Sequence, residues 1–152
     1  LAGKKKFKAK AFKAWLDDLC KTVVKVRDNH RCQRCHTKVS GYNCQWSHVY
    51  SRKWNETRWD LDNSKVLCGT CHTWWGACPS ESGVWFAELF PERQERLEEK
   101  RREYTPHPWK EDDFLAVEKV LMEAAIELDI TYDQLPKNSQ SKFRTRLELY
   151  KG

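Results

Sequence analysis

Two Cys-x2-Cys pairs, Cys32 with Cys35 and Cys68 with Cys71, lie 32 residues apart and constrain this chain more than any other feature of its 152 residues. A Cys-x2-Cys turn points two thiolates to one side, and two such turns complete a tetrahedral sulfur site for which zinc is the natural ion. The segment between Cys35 and Cys68 must then fold back on itself within one small module. Four unlinked buried thiols are the plainer alternative; redox chemistry would need only one of the two pairs. Cys20, Cys44 and Cys78 are expected as core thiols, and His36 is the histidine that could compete for the zinc. Seven cysteines, an odd number, and no apolar signal core in the first residues argue against a disulfide framework and for a reducing, cytoplasmic compartment.

Charge is placed unevenly along the chain. Residues 1–60 carry 15 Lys or Arg against 5 Asp or Glu, a net +10, whereas residues 61–152 carry 13 against 17, a net −4. That polarity suits a face for a polyanion, with the acidic half turned to solvent or to another protein. A lysine-rich tail also serves plain solubility, so charge alone leaves both readings open. Charged residues make up 33% and mean hydropathy is −0.86, with no run of about 18 apolar residues, so no membrane span is expected.

Periodicity divides the chain into three segments. Residues 1–30 hold a basic arm, Lys4 to Lys13, and an amphipathic helix whose stripe is Phe12, Trp15, Leu16, Leu19, Cys20, Val23 and Val26, ending near Asn29. Residues 31–80 form the cysteine-stapled core: a strand over Tyr42–Tyr50, a polar loop from Ser51 to Asn63, a second strand at Lys65–Leu67, and a short helix from Gly69 that Gly76 and Pro79 stop. Residues 81–152 form a helical extension. In it the charged run Glu92–Tyr104 reads as a solvated helix face with opposite charges at i,i+4, and Phe114–Leu128 and Ser139–Tyr150 as further helices. The fold class is therefore α+β, mainly helical, a small stapled core flanked by an N-terminal helix and a helical C-terminal half.

The stapled segment also holds the chemistry. His48 falls on the first strand, Asn63 at the end of the loop, and His72 directly behind Cys71. Phosphodiester hydrolysis needs a base to activate water, a metal to neutralise the leaving oxygen, and a strut to orient the base, and these three side chains match those needs. Taken singly, each has a plainer reading: a satisfied strand histidine, a turn asparagine, a histidine in a Cys3His zinc set. Trp46, Trp54, Trp59, Trp74 and Trp75 crowd the same region, as core or as stacking surface for bases; Trp54 is the one expected to be exposed.

Cys32-x2-Cys35, Ser47-His48, Asp62-Asn63 and Cys68-x2-Cys71-His72 together resemble the HNH endonucleases of the ββα-metal class, in the version stapled by a four-cysteine zinc. Within that class, Ser47 to Arg52 and Thr57 to Asn63 are similar to the phage NinG or Rap recombination endonucleases. The resemblance runs from about Lys21 to His72 and is weak beyond. It implies a ββα-metal core, with His48 as general base, Asn63 as the amide that fixes the hairpin loop, and His72 as ligand of a catalytic magnesium or manganese. It implies that Arg52 and Arg58 contact phosphates and that the zinc is structural; Lys53 and Trp54, beside Arg52 in the loop, are the further residues expected on the DNA. Where the class often carries a metal-binding Asp, this chain has Ser47, a poor ligand for a hard ion. Water and phosphate could complete the sphere around His72, or Asp60, Asp62 or Glu56 could enter from the loop, or catalysis could be lost.

Two functions follow. One is a metal-dependent endonuclease that hydrolyses DNA, with branched recombination intermediates such as Holliday junctions and D-loops favoured, working in the cytoplasm of a bacterial host. The other is a non-catalytic, zinc-stapled nucleic-acid-binding module. A homodimer would be needed to cut a four-way junction symmetrically, and the helical C-terminal half is the expected contact for recombination or replication proteins.

Overall fold

The computed structural model describes residues 5–152; Lys4 of the expected arm, with residues 1–3, lies outside them. The described residues fold into seven α-helices and one two-stranded antiparallel sheet. Mainly helical with a small sheet is thus the architecture, and no described helix is long and apolar enough to cross a membrane.

The first helix, α1 (Ala9–Arg27), already includes Lys10 and Lys13 of the arm. It contributes to two compact units: its residues up to Val23 join His107–Gly152, and the rest belongs to Val24–Pro106. These units cut across the segments 1–30, 31–80 and 81–152 set out above.

The unit Val24–Pro106 is built on the sheet. Strand β1 (Gln45–His48) pairs with β2 (Ser64–Leu67) so that Ser47 faces Lys65 and His48 faces Ser64. The first strand is shorter than Tyr42–Tyr50 because Gly41–Asn43 forms a 3-10 turn, with Gly41 at φ 55°, and residues beyond His48 turn away into the loop. That loop is not structureless: it holds α2 (Asn55–Arg58) and a 3-10 turn at Leu61–Asn63 started by the Asp60 side chain, which accepts from Asp62 N. All four residues of β2 are buried, held from the end of α1. The Asp28 carboxylate accepts Val66 N at 2.9 Å, and Arg27 donates to the carbonyls of Leu61 and Ser64.

Helix α3 (Gly69–Ala77) follows β2 directly, with the Cys68 sulfur as its N-cap acceptor. Pro79 does not merely end it. Proline suits the first turn of a helix, where its missing N–H is not needed, and it opens α4 (Pro79–Leu89); Pro91 likewise opens α5 (Pro91–Glu103). The core of this unit is Val24, Cys32, Val39, Cys44, Trp59, Val66, Leu67, Phe86 and Leu97.

The other unit packs the first part of α1 with α6 (Glu111–Glu127) and α7 (Lys137–Lys151). Leu16, Leu19, Leu121, Met122, Ala125 and Phe143 are fully buried here. So is Glu118, which accepts from Trp15 Nε1 at 2.7 Å, Arg146 Nε at 2.9 Å and the Tyr150 hydroxyl at 2.7 Å. A buried carboxylate with three donors is a satisfied hub rather than a liability.

Candidate functional site

The sulfur atoms of Cys32, Cys35, Cys68 and Cys71 all lie within 4.8 Å of one another. Cys35 and Cys68 are 3.8 Å apart. A tetrahedron with zinc–sulfur bonds of about 2.3 Å has edges of about 3.8 Å, so the cluster has the size of a zinc site. Four thiolates this close would need a cation among them. The four sulfurs differ: hydrogen bonding with the Thr37 side chain and backbone brings Cys35 down to about 6, while burial pushes Cys71 up to about 12 despite the Arg34 guanidinium 3.5 Å from its sulfur. His36 is exposed, at φ 65°, and outside the cluster. Cys20 and Cys44 are buried, as expected of core thiols; Cys78 is half-buried.

The sheet carries His48 at the open end of β1. Its Nε2 lies 3.1 Å from the carbonyl oxygen of Arg58. A carbonyl only accepts, so Nε2 donates to it, and in the neutral ring Nδ1 is then the nitrogen with the lone pair. The ring is also packed edge-on against Trp46, with centroids 4.2 Å apart, and the Trp75 indole donates to the His48 carbonyl at 3.1 Å. Asn63 is fully buried, and its amide spans the loop twice: Oδ1 accepts Tyr50 N at 2.8 Å and Nδ2 donates to Tyr50 O at 3.1 Å. Val49 N donates to the Asn63 carbonyl at 2.8 Å. Asparagine therefore closes the loop just two residues beyond the imidazole.

His72 stands on the first turn of α3, half-buried, and its Nδ1 has no hydrogen-bond partner among the described residues. Burial, and secondarily the charge of Lys65, push its imidazole below the ordinary range. The Ser47 hydroxyl is likewise buried and unpartnered. These are the two positions that the resemblance assigns to a divalent ion, and orphaned buried atoms are what a guest would satisfy. The donor set is otherwise lean. Facing Ser47 across the sheet is Lys65, fully buried, its Nζ 3.1 Å from the Trp75 ring centroid and brought down to about 6 by burial.

The loop acids are engaged elsewhere. Arg96 pairs with Asp62 at 2.8 Å, Lys100 with Asp60, and Arg101 with Glu56. The charged run of α5 is largely exposed, as a solvated face should be, and three of its cations also clamp the β1–β2 loop along three acids. Of the loop cations Arg52 and Lys53 are exposed, as is Trp54, while Arg58 is half-buried, and each cation lies over an indole, Arg52 on Trp46, Lys53 on Trp54 and Arg58 on Trp59. Trp54 is 42% exposed, whereas Trp59 is core.

Sequence reading missed Asp28, Arg34 and Lys65, each of which acts through a partner distant in the chain. Hydrophobic periodicity carries no signal for such pairs. Comparison of the chain with protein-family models, with curated proteins and with solved structures finds no match.

Proposed function

We propose that the hairpin module is a phosphodiester hydrolase acting on DNA, of the HNH type, stapled by zinc on Cys32, Cys35, Cys68 and Cys71. The observation that carries the proposal is the pairing of His48 with the Arg58 carbonyl beside the Asn63 clamp, which leaves an imidazole of fixed tautomer on a fixed loop. Support also comes from the order strand, strand, helix with His72 on the helix. In the reaction, His48 Nδ1 takes a proton from water, the water oxygen bonds to phosphorus, and the far P–O bond breaks. The leaving oxygen takes its proton from solvent, giving a phosphate monoester and an alcohol. Asn63 acts as a positioning residue. Magnesium or manganese on His72, its sphere completed by water and phosphate oxygens, would supply charge at the leaving oxygen. With Asp60 and Asp62 held by Lys100 and Arg96, the completion from water and phosphate is the version we adopt. Arg52, Lys53, Arg58 and Trp54 would hold the strand, and branched recombination intermediates are the substrate class the resemblance favours.

The same lean donor set favours the second reading, a zinc-stapled DNA-binding module without catalysis. Nicking of supercoiled plasmid with magnesium separates the two. Replacing His48 with Ala should lower the rate by about two to four orders of magnitude while zinc content and DNA affinity stay unchanged. Binding without nicking by the unaltered protein would leave the module reading standing instead.

A further inference from the structure

From Asn29 to Asn55 the chain has no acidic residue at all, and it has five cations there: Arg31, Arg34, Lys38, Arg52 and Lys53. All five are exposed. Arg52 and Lys53 belong to the loop described above, but Arg31, Arg34 and Lys38 belong to the first cysteine knuckle. Arg31 and Lys38 are neighbours there, paired through an antiparallel bridge.

Next along the chain stands Tyr42, which is 100% exposed. A tyrosine wholly in water is uncommon, and this one is presented by a turn that is firmly tied. Asn43 N donates to Ser40 O and Cys44 N to Gly41 O, each at 3.1 Å. The Asn43 side chain accepts from Gly69 N at 2.8 Å, which anchors the turn to the start of α3, and the Gln45 amide donates to the Tyr42 carbonyl. Cys44 behind it is buried. The backbone is thus spent on holding the ring outward.

Chemistry selects the occupant. A protein partner would ask for further apolar surface around the ring, and the exposed large apolar side chains elsewhere, such as Val84 and Leu89, belong to other elements. The nearest charged residues on either side of Tyr42 in sequence, Lys38 and Arg52, are both cations, which suits phosphates, and a single ring gains by stacking only on a base that is not already stacked. We propose that the knuckle end of the module binds an unpaired nucleotide of DNA, with Tyr42 stacking on its base and Arg31 and Lys38 contacting the flanking phosphates, Arg34 being held over the Trp74 ring and at the Cys71 sulfur. This rests on the DNA reading of the preceding section and names the substrate feature that the module recognises. Tyr42 is six residues from His48. Even fully extended, that chain spans about 20 Å, so a cut falls within about six nucleotides of the stacked base.

The test measures affinity for an intact duplex and for the same duplex with a one-strand gap, using Tyr42→Ala, Tyr42→Phe and Arg31→Gln/Lys38→Gln in the His48→Ala background. Tyr42→Ala should weaken the gapped duplex about 5- to 100-fold and leave the intact duplex within about twofold, and Tyr42→Phe should behave as Tyr. The double charge variant should weaken both DNAs and lower their salt dependence. Equal effects of Tyr42→Ala on both DNAs, or none, would overturn the proposal; zinc content checks that each variant is folded. Nicking by the His48 protein that Tyr42→Ala leaves unaltered in rate and position sinks the stacking site and spares the hydrolase. Stacking discrimination with no nicking does the reverse.

Discussion

Lys65 is the residue whose placement departs furthest from its chemistry. It is fully buried opposite Ser47, rests on the Trp75 ring, and has no hydrogen-bond partner for Nζ among the described residues. Burial brings its ammonium from the ordinary 10.5 down to about 6. The unfolded chain therefore holds a proton on this lysine up to about pH 10.5, while the folded chain releases it at about pH 6. Between those values the unfolded state binds more protons, so folded stability rises with pH across that window. Lys65→Met keeps the length and removes the titration. It should stabilise the protein by a few kcal/mol, on the order of magnitude set by such shifts, with the gain largest below pH 6 and fading above pH 10.5. Urea unfolding of both proteins at pH 6, 8 and 10.5 checks this; a gain independent of pH would mean that the amine is charged and paired throughout.

At the level of elements, α5 shows what was and was not legible. Its helical character followed from composition, and the opposite charges at i,i+4 suggested that those charges satisfy one another. Glu92 does act on Arg96 one turn away, but the close pairs of this face are long-range: Arg96, Lys100 and Arg101 reach acids some 34 to 45 residues away. Long-range ion pairs have no periodicity to betray them. The strands show the converse. Lys65–Leu67 was readable because β2 is buried on both faces and apolar at its end, while the length of β1 was set by Gly41 and by Asn63, a turn residue and a side-chain clamp that hydrophobic patterning does not weigh. The clamp makes a graded prediction. Glu56 is only 7% exposed whereas Asp62 is 22% exposed. Removing Arg101 strands a nearly buried carboxylate, so Arg101→Ala should cost about 1–3 kcal/mol, and Arg96→Ala distinctly less. Thermal unfolding ranks the two; the reverse order would show that the clamp is held by its outer pair.

On the scale of the whole molecule, stability is divided. Val24–Pro106 brings its two knuckles together at four cysteines: Cys32, Cys68 and Cys71 are buried, β2 is four residues long, and β1 pairs with nothing else among the described residues. A two-stranded sheet is marginal on its own, so metal binding and folding of this unit should be one event. The unit that holds α6 and α7 contains none of those four cysteines. It has its own core around Leu121, Met122 and Phe143 and its own polar hub at Glu118. Zinc removal should therefore unfold the chain in part. With about one zinc per chain at the start, strong chelation should abolish hydrogen-exchange protection in β2 and α3 and leave it in α6 and α7, and calorimetry should show two transitions where the zinc is limiting. Cys68→Ser should reproduce the chelated pattern without chelator, whereas Cys20→Ser should keep the zinc. Protection lost equally in α6 and α7 would show instead that the two cores fold as a single cooperative body. Protection retained in β2 would show that the sheet is stable without the metal.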